Sequence, residues 1–85
     1  MIIVWDEPKR LANLSKHRLD FADIDDFGWA DAFITPSHSR RLKAVGLLRG
    51  KIVVVVYARL GTEAISIVGM RPANAKERGL YEQNG

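Results

Sequence analysis

The 85-residue chain contains no cysteine, so neither a disulfide nor a thiolate metal site can stabilise it, and a hydrophobic fraction of 47% must supply the core. Its longest apolar run, residues 52–58, is far too short for a bilayer, which needs ~20 residues, and Asp6 and Glu7 interrupt the N-terminal apolar run too early for a signal peptide. Net charge is +3 but unevenly spread: residues 1–35 hold four basic and seven acidic groups, giving −3, and residues 36–85 hold nine basic and three acidic ones, giving +6. We therefore expect a soluble cytosolic protein of one domain whose basic half suits a polyanion such as RNA.

Residues 1–5 are β-branched and aromatic and are predicted as a strand. Asp6 is a good helix N-cap, and Pro8 falls in the first turn, where its missing N–H does no harm. From there to Lys16 the pattern is helical, with Leu11 and Leu14 on one face and Lys9, Arg10 and Lys16 outside it. Asp20 caps a predicted second short helix in which Phe21, Ile24 and Phe27 recur, and Gly28 ends it. Residues 29–35 are predicted as an edge strand stopping at the turn signal Thr35-Pro36-Ser37. Residues 41–48 follow as a strand, Arg49-Gly50 as a hairpin turn, and residues 52–57 as a central strand buried on both faces. Leu60-Gly61-Thr62 turns the chain again, residues 64–70 make the last strand, and Pro72 opens a terminal helix running to about Glu82. The order β-α-α-β-β-β-β-α predicts an α+β fold with a small antiparallel sheet, two N-terminal helices and one C-terminal helix.

Trp5-Asp6-Glu7-Pro8-Lys9, Asn13, Lys16-His17 and Phe21 resemble the W-D-x-x-K-x-x-x-N-x-x-K-H-G-[VI]-x-F opening of BrnT toxins. Arg41, Gly46 and Val54-Val55-Val56-Tyr57 extend the likeness through the middle. Ile65-Ser66-Ile67, Arg71-Pro72-Ala73, Lys76-Glu77-Arg78 and Tyr81-Glu82 are similar to the family's ending. The resemblance implies a RelE-like fold over residues 1–85 as a single toxin domain. It also implies a metal-independent endoribonuclease that arrests translation, and a BrnA-like antitoxin encoded alongside. In that family the antitoxin silences the toxin in a hetero-oligomer and supplies the contact to promoter DNA. A reading from a different class is a catalytically weak antitoxin-binding module acting mainly in transcriptional autoregulation. Three positions depart from the pattern. Arg18 stands where the family usually has glycine, so the turn there is expected to be built differently. Ala64 replaces a frequent arginine, and Gly69-Met70 replaces a Ser-Ala pair.

RNA cleavage without a metal or other cofactor needs a base for the ribose 2′-OH, cations at the scissile phosphate and an acid for the leaving oxygen. Arginine suits the second task because its fork binds phosphate oxygens bidentately. Arg71 and Arg78 are therefore the leading catalytic candidates, expected to line one stripe with Asn74 or Ala75 at the start of the terminal helix. Glu77 is a candidate base, set against an ordinary surface pairing worth about 0.5 kcal/mol. His17 is a candidate acid or base, set against a helix-end imidazole bonded to a backbone carbonyl. Arg41, which matches the family's arginine, Lys43, Lys76 and Trp5 are candidate RNA-binding residues. For Trp5 the choice is between base stacking and core anchoring. His38, beside Ser37 and Ser39, reads as a solvated loop residue. The two histidines lack ligand spacing, and no metal site is expected.

Overall fold

The computed structural model describes residues 1–84. The chain runs β1 (Ile2–Trp5), α1 (Glu7–His17), short 3₁₀ turns at Phe21–Asp26 and Trp29–Asp31, and β2 (Phe33–Pro36). A third 3₁₀ turn at His38–Arg40 leads to β3 (Leu42–Leu48), β4 (Lys51–Leu60), β5 (Ala64–Pro72) and α2 (Ala75–Asn84).

One five-stranded sheet has the order β1-β5-β4-β3-β2. Strands β2 to β5 form the expected antiparallel meander. The β3–β4 reversal is a two-residue loop with Arg49 at φ 51 and Gly50 at φ 82, the doubly positive geometry that matches strand twist. The sheet is not wholly antiparallel, however. β1 pairs parallel to β5, from Ile2↔Ala64 to Trp5↔Ile67. A tight hairpin forces reversal of direction, but β1 reaches β5 only through the rest of the chain, so no turn dictates its sense.

The predicted second helix is also corrected. Phe21–Asp26 is a 3₁₀ turn, capped by the Asp20 side chain accepting from the Ala22 N–H. Its apolar residues, Phe21, Ile24 and Phe27, recur every three positions, the period of a 3₁₀ helix rather than of an α-helix. Its aspartates further favour turn over helix. The predicted edge strand shortens to β2, because Trp29–Asp31 curls into another such turn. The terminal helix starts at Ala75, three residues later than expected, since Pro72 closes β5 opposite Val53.

β4 lies at the centre of the sheet, and Val53, Val54 and Val55 are all buried, which requires cover on both faces. One face packs Val53, Val55, Tyr57, Ile67 and Met70 under Phe21, Ile24 and Phe27. The other packs Val45 and Val54 with Phe33, Ile52, Ala73 and Tyr81, beneath α2. α1 flanks β5 where β1 ends. There the Asn13 Oδ1 accepts from the Met70 N–H at 3.1 Å, and its Nδ2 donates to the Leu19 carbonyl at 2.9 Å. The turn leaving α1 is made by Arg18 itself in the left-handed region, φ 57 and ψ 29, so the glycine-type geometry survives the departure. Among the described residues no helix is long and apolar enough to cross a membrane.

A shift of register in β4–β5 decides the face on which Arg71 emerges. Tyr57 pairs with Ile67 but Val56 pairs with Gly69, which leaves Val68 as the extra residue of a bulge. Because side chains alternate along a strand, one inserted residue exchanges the faces beyond it. Ile67 and Met70 can thus both enter the same core, and Arg71 is turned to the α2 side.

Candidate active site

On that α2 side, Arg71 lies opposite Val54 on β4, and Lys43 on β3 lies opposite Val56. Val45 and Val54, the buried pair of this face, fix the common direction of the two cations. The start of α2 supplies their counter-charge. The Asn74 Oδ1 accepts from the Glu77 N–H at 2.8 Å, and the Asn74 N–H donates to Glu77 Oε1 at 2.9 Å. This reciprocal pairing satisfies two otherwise orphaned N–H groups and sets the rotamer of Glu77.

Glu77, the candidate base, is consequently buried, 6% exposed, and its pairing is not an ordinary surface one. Arg71 Nη1 donates to its Oε1 and Arg71 Nη2 to its Oε2, each at 2.7 Å. Lys43 Nζ reaches Oε2 at 3.5 Å. The Arg71 guanidinium holds the Glu77 carboxyl down to about 2 against an ordinary 4.5. Burial works the other way, while the Asn74 N–H and the charge of Lys43 lower it further. The same contact raises the already high pKa of Arg71.

Beside this cluster lies a groove of about 560 Å³ lined by Pro36, Ser37, His38, Lys43, Val56 and Arg71. His38 opens the 3₁₀ turn His38–Arg40, in which Ser39 (φ 56, ψ 42) and Arg40 (φ 63) are both left-handed. The turn is closed by Ser37 N–H donating to the Arg41 carbonyl at 2.8 Å and Arg41 N–H to the His38 carbonyl at 3.0 Å.

The other sequence candidates are dispersed. Arg71 sits on a strand and not on the helix, so it does not form a helical stripe with Asn74 and Arg78. Arg78 is exposed, and its Nη1 donates to the Ala73 carbonyl at 2.9 Å. His17 is half-buried in the last turn of α1 and takes no part in lining the groove. Trp5 is half-buried against the core: its ring meets Phe21 edge-on with centroids 6.3 Å apart, and its Nε1 donates to Glu7 at 3.2 Å. Arg41 is half-buried immediately before β3, and Lys76 is exposed on α2. Among the described residues no three His, Asp or Glu side chains are grouped to hold a metal ion.

The family model for the ribonuclease toxin BrnT of type II toxin–antitoxin systems matches residues 5–77. The chain belongs to the BrnT family. The structure of this BrnT chain is similar to the crystal structure of the Brucella abortus ribonuclease toxin BrnT, with a TM-score of 0.77 and 42% sequence identity. That likeness covers 87% of this chain and 97% of the other. A comparison with curated proteins found no match. BrnT membership makes the chain the ribonuclease toxin of a type II pair, which has an antitoxin as its partner. The matched region opens on Trp5 and closes on Glu77, so it contains Lys43, Arg71 and Glu77 and leaves Arg78 outside.

The groove presents an oriented guanidinium. Arginine has five N–H donors. Glu77 takes one from each terminal nitrogen, and the Pro72 carbonyl is 3.4 Å from Nη1. Further donors remain for an anion in the groove. His38, expected as a solvated loop residue, is among the residues that line the groove. It stands two residues beyond the Pro36↔Leu42 end of the β2–β3 ladder and lines the groove with Lys43, a placement that no sequence motif signals.

Proposed function

We propose that the Lys43–Arg71 groove is where this BrnT toxin cleaves RNA, without a metal ion, through attack of the ribose 2′-OH on the adjacent phosphate. The observation that carries this reading is the convergence of Arg71 and Lys43 on the Glu77 carboxylate at the groove edge. An anion with oxygens in a similar disposition, such as a phosphodiester, is what such a pair attracts. Arg71 neutralises charge as it builds on the phosphate, Lys43 adds a second positive charge, and Glu77 holds the guanidinium in its plane. With its carboxyl held at about 2, Glu77 has no proton to give near neutral pH and is a weak base. It is a positioning residue in this scheme. Arg41, Lys76 and Arg78 lie outside the groove lining and serve as outer contacts for the RNA backbone.

In the same reading, residues 1–85 act as one domain of RelE-like arrangement in the cytoplasm. RNA cleavage arrests translation. A BrnA-like antitoxin neutralises the toxin in a hetero-oligomer and alone contacts promoter DNA. Expression of the chain without an antitoxin tests the reading, with growth and total RNA followed over minutes. Wild type is expected to stop growth and degrade RNA, and Lys43→Ala/Arg71→Ala, produced as folded protein, to do neither. Growth arrest by that double variant would place the chemistry elsewhere.

A further inference from the structure

The cations of the groove do not account for proton transfer. Lysine and arginine stay protonated near neutral pH, Glu77 is committed to Arg71, and His17 is absent from the lining. Of the residues that line the groove, His38 alone carries an imidazole, the side chain most often used as a general acid or base. We propose that His38 is the general base of this toxin, taking the proton from the ribose 2′-OH; this rests on the ribonuclease reading of the groove.

The backbone supports the assignment independently of the side-chain chemistry. Ser39 and Arg40 occupy the left-handed region in succession although neither is glycine. Backbone strained in this way clusters at functional sites. The backbone hydrogen bonds joining Ser37, His38 and Arg41 close the turn in that form beside the groove that His38 lines. The charged groups that meet there are Lys43 from β3 and Arg71 from β5, both bound to Glu77 of α2, while Arg40 and Arg41 belong to the turn itself.

In the step, the 2′-O–H bond breaks and its proton passes to the free ring nitrogen of His38. The 2′-oxygen bonds to phosphorus, the P–O5′ bond breaks, and the departing 5′-oxygen takes a proton from water. The products are a 2′,3′-cyclic phosphate and a 5′-hydroxyl, and His38 returns its proton to solvent before the next turnover. Nothing is oxidised or reduced.

The test uses the purified full chain with an RNA oligonucleotide in single turnover across a pH series, for wild type, His38→Ala and His38→Gln. Wild type should cleave, with a rate that rises with pH and levels off. Both variants should lose about 10²–10⁴-fold and the rising limb of the profile. Both should bind the all-deoxy analogue with wild-type Kd, and added imidazole should restore part of the rate to His38→Ala. If wild type cleaves and a folded His38 variant cleaves within threefold of it with the same profile, the proposal is overturned. If wild type leaves the RNA intact, the ribonuclease reading itself fails and the assignment falls with it.

Discussion

Both oxygens of the Glu77 carboxylate accept hydrogen bonds from Arg71, at 2.7 Å each, across the junction between the last strand and the last helix. Glu77 also caps its own helix through Asn74. One side chain thus fastens α2 to the sheet and orients the cation of the groove. Glu77→Ala is expected to lower stability by about 2–3 kcal/mol, combining a lost charge-assisted hydrogen bond with a lost cap. Glu77→Gln keeps an acceptor for the Asn74 N–H and should lose about half as much. Urea unfolding midpoints at neutral pH measure both.

Acid should act through the same carboxylate. The pKa of Glu77 is lower in the folded state than in the unfolded one, so binding a proton opposes folding. Its contribution is fully present above about 4.5 and is lost as the pH falls through about 2. We expect wild type to lose about 2 kcal/mol of stability from this group over that window. Glu7 and Asp20 also have lowered pKa values and titrate in the same direction. The difference between wild type and Glu77→Gln isolates the effect: the two stability curves should converge towards pH 2. Parallel curves would contradict the assignment.

Asn13 joins three segments, since it binds the Leu19 carbonyl and the Met70 N–H while sitting on α1. Asn13→Ala leaves both backbone groups without their partner in a half-buried place and should destabilise by about 2 kcal/mol. Asn13→Asp can still accept from Met70 but cannot donate to Leu19, and is expected to destabilise nearly as much. Amide exchange at Met70 should quicken in the alanine variant. Unchanged protection there would show that the contact is not formed in solution.

Arg18 occupies a left-handed position at the end of α1, where its N–H donates to the Leu14 carbonyl at 2.9 Å. Arg18→Gly removes the Cβ strain of that conformation and should stabilise the protein by about 0.5–1 kcal/mol, visible as a raised Tm.

How much of this was legible in the sequence depended on the range of the interactions. The β3–β4 hairpin was readable from Arg49-Gly50 and its flanking strands, because a two-residue turn is a local matter. The central strand was readable from its run of valines. The direction of β1 was not, because it depends on a partner some sixty residues away. Nor was the face on which Arg71 emerges. Simple alternation from Ile65 and Ile67 would put Arg71 in the core, and only the bulge at Val68 removes it. The basic half and its arginine at position 71 were apparent from composition and resemblance. Lys43 and Arg71 converge on Glu77, and share a groove with His38, only once β2, β3 and β5 are folded beside α2. Trp5 illustrates the converse: its size suited stacking or core equally, and only the folded chain sets its half-buried ring edge-on against Phe21.

The most direct test of the groove is single-turnover RNA cleavage by purified Arg71→Lys, which keeps a positive charge beside Glu77 but loses the guanidinium fork. With circular dichroism showing the variant folded, a rate about 10²-fold below wild type is expected. A folded Arg71→Lys protein that cleaves RNA at the wild-type rate would contradict it.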